Sequence, residues 1–371
     1  MKSQIKQHRI IFCGAHAATT ALSVIQELIK RNENGKYLLY WIGAKSPIEG
    51  KRLKGIEHTV FPGLGVTIHE ILTGRIQRRF SVYTLPSLAK IPLGFVNALF
   101  LLLKIKPHVI LSFGGYSAFP VVVMGRLMGV PVILHEQTVA VGLANKFSSF
   151  FVNTVAIARE ESRNFFPKDK TLLVGNPLMS QIVLLPPKSS KNKKATMFVT
   201  GGSRGSQQIN NAMNQTLKQL LEKFVVLHQA GEVDYKKFKA RQKDLGPNYY
   251  IYSTIDPIKI PEFYKRADIV VGRAGANTVS EIIYLGIPSI LIPIPWTRFD
   301  EQTKNAKMAE KLGVAKIITQ DELNGELLFN EVVKLYQNWD TIVKKIDRKT
   351  ADLDSKAAAT LADLLEKQIH A

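Results

Sequence analysis

Asp268-Ile-Val-Val-Gly-Arg-Ala-Gly-Ala-Asn-Thr-Val-Ser-Glu281 is the stretch on which the fold turns. A short apolar run, Ile269–Val271, leads into Gly272-Arg-Ala-Gly275 and then into a helix opening at Ala276. Buried strand, glycine turn and helix, in that order, begin a βαβ unit, and such units bind ligands at the C-terminal end of the strand. Small side chains at Ala274, Gly275 and Ala276 permit close backbone approach. Asn277 and Thr278 can cap the helix or donate to a phosphate. Glu281 falls one turn into the helix, where a carboxylate suits a ribose diol; it can equally do no more than complement the helix dipole.

The same rhythm runs outward in both directions. Thr196–Thr200 precedes Gly201-Gly-Ser-Arg-Gly205, in which Ser203 adds a hydroxyl donor. Val109–Phe113 precedes Gly114, Gly115 and Tyr116, and Val130–Leu134 precedes His135, Glu136, Gln137 and Thr138. Phe224–Gln229 ends in His228-Gln-Ala-Gly231. Polar side chains directly after a buried strand favour a ligand-facing position, although either histidine can be a satisfied packing residue. Arg9–Cys13, Tyr37–Gly43, Val152–Ala156 and Ser289–Pro293 read as further strands, with a helix from about Thr20 to Arg31. Strands alternating with helices predict an α/β protein with parallel sheets. The segment Gly175–Ala195, with Asn176-Pro177, Pro186-Pro187 and the polar basic run Lys188–Lys194, reads as a linker. The expectation is two doubly wound domains facing across a cleft: residues 1–178 together with a C-terminal helix 345–371, and residues 179–344.

Composition bounds the alternatives. The chain has 371 residues, 46% hydrophobic and 22% charged, enough apolar material for two cores and unlike a disordered chain or a coiled coil. Cys13, the single cysteine, excludes an intrachain disulfide framework and a cysteine-built zinc site. Fifty basic against thirty acidic residues leave +20, which implies attraction to polyanions. No nucleic-acid module accompanies that charge, so a nucleic acid is not the expected partner. The basic segment Met1–Arg9 precedes an apolar run, Ile10–Cys13, too short for a signal-peptide core. The most apolar window, Leu93–Leu103, is about half of the ~20 residues needed to cross a bilayer. Nothing is therefore expected to span a membrane. Ala98–Leu103 reads as a buried crossover helix, whereas Arg75, Arg78 and Arg79, followed by Ile91, Leu93 and Phe95, suit docking to an anionic leaflet at roughly 1 kcal/mol per cation.

Taken together, several segments resemble the MurG family closely. They are Phe113-Gly-Gly-Tyr116, His135-Glu-Gln-Thr138 with Gly142-Leu-Ala-Asn-Lys146, Gly175-Asn-Pro177, Gly201-Gly-Ser203 with Gly205, and His228-Gln-Ala-Gly231. The strongest runs from Ala267 to Glu281 and continues through Gly286-Ile-Pro288 and Gln302-Thr-Lys-Asn305. The likeness covers nearly the whole chain in the family's order. These N-acetylglucosaminyltransferases convert lipid I to lipid II in peptidoglycan synthesis. The resemblance implies a GT-B fold of two Rossmann-like domains. It also implies an inverting transfer from UDP-N-acetylglucosamine at the inner, anionic leaflet of the cell membrane, with no cofactor and no dedicated metal site. By motif, Gly14, Ala15, His16, Thr138, Ser203, Ile255, Ala276, Asn277, Thr278, Val279, Ser280, Glu281 and Gln302 would serve the donor. Gly114, Gly115, Tyr116, His135, Glu136 and Gln137 would face the acceptor.

Three departures stand out. The first glycine loop reads Phe12-Cys-Gly-Ala-His-Ala-Ala18, so the family's catalytic histidine falls at Ala17 and His16 sits one position earlier. Thr138 stands where the family has asparagine, and Leu178-Met179 where it has arginine. An acceptor hydroxyl must lose a proton as it attacks, and an imidazole near its ordinary pKa can take it. His16 is the first candidate for that base and Glu136 the next. Three rival readings remain: a UDP-sugar enzyme with another acceptor, a 2-epimerase, and a non-catalytic nucleotide-sugar-binding scaffold.

Overall fold

The computed structural model describes residues 7–15, 17–44, 55–74, 84–202 and 205–370, with the backbone alone at 84, 86 and 298. The chain divides into two units, Met1–Ser180 with Leu353–Ala371, and Gln181–Asp352.

In the first unit the apolar runs form β1 (His8–Gly14), β2 (Tyr37–Ala44), β3 (Thr67–Ile71), β4 (Val109–Ser112), β5 (Val132–Glu136), β6 (Thr154–Ile157) and β7 (Thr171–Leu173). They pair in parallel as one 7-stranded sheet, β3-β2-β1-β4-β5-β6-β7. Its helices are α1 (Ala18–Lys30), α2 (Ile56–Thr59), α3 (Thr84–Ile105), α4 (Phe119–Leu127) and α5 (Leu143–Ser148). Ile10, Ile11, Phe12 and Cys13 are all fully buried, so β1 is covered on both faces, as a central parallel strand must be. Strand order reverses between β1 and β4, which makes their C-terminal ends a switch point.

α6 (Ser180–Val183) lies at the boundary. The second unit holds β8 (Thr196–Thr200), β9 (Val225–Gln229), β10 (Tyr249–Tyr252), β11 (Ile269–Gly272), β12 (Ser289–Leu291) and β13 (Ala315–Ile317). Its 6-stranded parallel sheet runs β10-β9-β8-β11-β12-β13, with the switch point between β8 and β11. The helices are α7 (Gln207–Lys223), α8 (Glu232–Leu245), α9 (Ile260–Arg266), α10 (Ala276–Leu285), α11 (Glu301–Lys311), α12 (Gly325–Gln337) and α13 (Trp339–Lys345). Trp339 is fully buried and its indole N–H donates to Asp268 O at 2.8 Å, which seats α13 at the start of β11.

The last helix, α14 (Lys349–His370), joins the first unit from Leu353 onward. Arg159 grips Asp354 with two parallel N–H donors at 2.6 and 2.7 Å, and Asn176 N donates to the same carboxylate at 2.8 Å. The boundaries thus fall at 180/181 and 352/353, against the sequence reading of 178/179 and 344/345.

Two expectations need correction. The basic run Lys188–Lys194 is not a free linker: Lys188 N donates to Leu285 O, and the Asn192 amides reach Asp268 and Arg266, so it is strapped to the second unit. The apolar window is also longer than it read. α3 continues N-terminally from Leu93 through Pro92 and Lys90, and Ser87–Ile105 is long and apolar enough by composition to cross a membrane. One face, Ala98, Leu101, Leu102 and Ile105, packs into the core. Phe100 and Leu103, read as buried, are exposed, and they continue a stripe through Leu85, Leu88, Leu93 and Val96 at helical spacing.

Candidate active site

At the C-terminal edge of the first unit's sheet, one hydrogen-bonded chain joins the loops after β1, β4 and β5. Gly114 has φ +77°, and a Cβ there would land on the Asn145 carboxamide, so only glycine fits. Gly114 O accepts from Ala15 N at 2.9 Å, and Gly115 N donates to Asn145 Oδ1 at 3.0 Å. Asn145 Nδ2 donates to Glu136 Oε2 at 2.7 Å, while Glu136 Oε1 accepts from Thr138 N at 3.0 Å. The Thr138 hydroxyl lies 2.9 Å from both Glu136 Oε1 and Ala140 O. Glu136 and Thr138 are therefore buried loop braces. A carboxylate already engaged by two elements is not presented to a substrate as a base.

His135 is also structural. It is buried edge-on to Phe113, its Nε2 pairs with Gly175 O at 3.0 Å, and Nδ1 has no partner among the described residues. A carbonyl only accepts, so Nε2 carries a proton. Burial pushes its pKa down to about 4, with Arg159 nearby adding to the fall and the Gly175 bond opposing it. Ala15, Gly115, Tyr116 and Gln137 stay partly exposed, and Gln137 Oε1 accepts from the Thr20 hydroxyl at 2.6 Å. Gly14 is buried against Phe113, and Ala17, also buried, starts α1 without a side-chain cap. His16, the candidate base, lies outside the described residues, as do Arg75, Arg78, Arg79 and Ser203. Of the docking residues, Leu93 lies on the exposed stripe, whereas Phe95, two residues on and so across the helix, meets Phe119 edge-to-face, and Ile91 is half-buried.

In the second unit the turn after β11 is packed against β8. A Cβ on Gly272 would come within 2.8 Å of Thr200 O. Ala276, Asn277 and Thr278 form the first turn of α10 and stay partly exposed. Val279 and Ser280 are fully buried, so neither offers a side chain to a ligand. Glu281 is 7% exposed, and burial pushes its carboxyl up to about 7 while a hydrogen bond from the Tyr264 hydroxyl, at 2.8 Å, opposes that rise. The Thr278 side chain faces the same phenol.

The loop after β8 is braced from β9. The Thr200 hydroxyl donates to Gln229 Oε1 at 2.7 Å, and Gly202 N donates to Thr200 Oγ1 at 3.1 Å. His228 is buried between Tyr249 and Asn210, at 2.9 and 3.0 Å, and burial lowers its pKa to about 3. Gln302 Oε1 accepts from Ile294 N at 3.0 Å, and Ile255 is half-buried. Asn305 donates to Ala274 O, and Arg273 reaches Ile292 O and Gln320. A recess of about 360 Å³ opens along this edge, lined by Ser206, Gln207, Asp234, Arg273 and Trp296 among others. Among the described residues no cluster of three or more His, Cys, Asp or Glu could hold a metal ion. Sequence reasoning missed Tyr264, Asn145 as a brace, and the Arg159–Asp354 pair. Asn145 stood inside a quoted motif, but Tyr264 has no local signal because its partner is 17 residues away.

Two family models match the chain: the glycosyltransferase family 28 N-terminal domain over residues 19–157, and the family 28 C-terminal domain over 196–365. The UDP-N-acetylglucosamine–N-acetylmuramyl-(pentapeptide) pyrophosphoryl-undecaprenol N-acetylglucosamine transferase of Bacillus subtilis (strain 168) is 33% identical over 357 residues, 94% of this chain and 95% of that protein. The enzyme of the same name from Clostridium tetani is 29% identical, covering 97% and 98%. Among solved structures, MurG of Acinetobacter baumannii superposes with a TM-score of 0.71 at 24% identity, covering 97% and 99%. The UDP-GlcNAc 2-epimerase of Neisseria meningitidis reaches 0.65 at 12% identity, covering 97% and 100%. At those identities the structures speak for the GT-B fold.

Proposed function

The chain belongs to glycosyltransferase family 28, and we propose a division of labour between its two units for the transfer it carries out. That reaction moves N-acetylglucosamine from UDP-N-acetylglucosamine to lipid I and forms lipid II for peptidoglycan. A bond forms between an acceptor hydroxyl oxygen and the anomeric carbon, the bond from that carbon to UDP breaks, and the hydroxyl proton passes to a base.

The donor belongs to the second unit. The observation that carries this reading is the half-exposed first turn of α10 ahead of a buried carboxyl. The N–H groups of Ala276, Asn277 and Thr278 would take the diphosphate and stabilise charge on the departing UDP. Glu281 would accept from the ribose, Ile255 would offer backbone to uracil, and Ser203 and Gln302 would complete the diphosphate and sugar contacts. The acceptor belongs to the first unit, beside Ala15, Gly115, Tyr116 and Gln137. His16 is the base: Glu136 is engaged by Thr138 and Asn145, and His135 is buried. His16→Ala should lower turnover by about 10²–10⁴-fold and leave UDP affinity intact. Turnover within threefold of the parent would make His16 structural.

The first unit would rest on the anionic inner leaflet through the exposed stripe of α3. The helix lies on the surface because its other face, Ala98 and Leu102, is locked in the core and a crossing would tear it out. The test of the whole reading is release of UDP with and without a lipid I analogue. Release only with acceptor supports it. Conversion of the donor without acceptor would favour an epimerase, and no release at all a binding scaffold.

A further inference from the structure

Glu281 has two carboxyl oxygens in different circumstances. Oε2 receives the Tyr264 hydroxyl at 2.8 Å, whereas Oε1 takes no hydrogen bond from any described residue. Tyr264 itself cannot swing away. It is 2% exposed on α9 and stands edge-on to Phe198 of β8, at 5.8 Å between ring centres. The Thr278 side chain, on the first turn of α10, faces its oxygen. A hydroxyl has one proton to give. The phenol gives that proton to Glu281.

We propose that Tyr264 is the positioning residue of the donor site, holding Glu281 Oε2 so that Oε1 alone is turned to the ribose hydroxyls. This rests on the reading of Glu281 as the ribose-binding carboxylate. The arrangement serves two ends. It fixes the carboxyl rotamer before the ligand arrives, so less ordering is left to the binding step. It also favours the ionised form, which is the stronger acceptor, in a place where burial alone would keep the proton on. The phenol and, behind it, Thr278 are the polar groups on α9 and α10 that act on this carboxyl; no charged group among the described residues contributes.

The test is calorimetric titration of UDP into the full chain and into Tyr264→Phe, compared at each pH from 6.5 to 8.5 so that the ligand's own titration cancels. Removing the phenol proton raises the carboxyl's pKa further. The variant should therefore bind UDP about tenfold more weakly near pH 7, with the gap closing to within about threefold at pH 8.5. Thr278→Val, which leaves the phenol in place but less polarised, should show a smaller gap of the same pH dependence. A gap that is constant across pH in Tyr264→Phe means that Tyr264 only packs, and overturns the proposal. Glu281→Gln separates this from the premise. It should bind at least about tenfold more weakly even at pH 8.5. If it binds like the parent, Glu281 is not the ribose ligand and both readings fall.

Discussion

The two units are built alike and use their loops differently. Each has a parallel sheet with a switch point, and each carries its motif residues at the C-terminal edge. In the first unit the conspicuous polar residues are nearly all turned inward: His135 to Gly175, Glu136 to Thr138 and Asn145, Asn145 to Gly115. In the second unit the turn after β11 leaves a helix start half-exposed and spends its buried groups on aligning one carboxyl. The difference teaches that a polar motif after a strand marks the edge where chemistry happens without naming the atoms that do it. A loop can be held by the same residues that would otherwise act.

The sharpest way to break the comparison is at the seam that returns α14 to the first unit. Asp354→Ala removes the carboxylate from a buried Arg159, and breaking such a buried pair costs about 3–5 kcal/mol. Hydrogen exchange should show the first unit loosened and the second barely changed. Equal loosening of both would mean that the units do not unfold separately.

Acid should divide them as well. The buried His135 has a folded pKa of about 4 against roughly 6.5 unfolded, so its contribution is complete above ~6.5 and is lost as pH falls toward 4, roughly 3 kcal/mol in all. His228, at about 3, acts in the same direction in the second unit. There Glu281 opposes it: its folded pKa of about 7 lies above the unfolded value, so the fold gains stability as pH drops from 7. Unit-resolved hydrogen exchange at pH 5 against pH 7.5, corrected for intrinsic rates, should therefore show the first unit weakened more. Equal weakening would contradict these assignments.

Smaller effects follow from the braces. Glu136→Ala leaves the Thr138 and Asn145 donors unmet, at a cost of about 1–3 kcal/mol, and should lower turnover without changing UDP affinity. A loss of UDP affinity would place Glu136 with the donor. The smallest effect on stability is expected on the exposed stripe: Leu93→Asp with Phe100→Asp should move it by less than about 0.5 kcal/mol per site. The same pair should abolish co-sedimentation with anionic vesicles. Undiminished co-sedimentation would put the docking surface elsewhere.

Most of the central strands were legible, because a strand buried on both faces writes itself as an unbroken apolar run. Thr196–Thr200 coincides with β8, and Tyr37–Gly43 falls one residue short of β2. The strands left unread were β3, β7, β10 and β13. All four stand at the edges of their sheets; β3, β7 and β13 are thinly buried and carry no long apolar run, while β10, Tyr249-Tyr-Ile-Tyr252, is a short aromatic run that went unread. Phe100 and Leu103 were misplaced because apolar composition does not say which face of a helix is covered. The glycine turns were legible as turns. The roles of His135, Glu136 and Tyr264 depend on partners brought together by the fold, which a local pattern does not encode.

The most direct test of the division of labour is calorimetric binding of UDP-N-acetylglucosamine to Glu281→Ala. Losing a carboxylate that accepts from the ribose costs about 1.5–3 kcal/mol, so affinity should fall at least about tenfold while the variant remains folded. Unchanged affinity in a folded Glu281→Ala chain would contradict the assignment of the donor to the second unit's glycine turn.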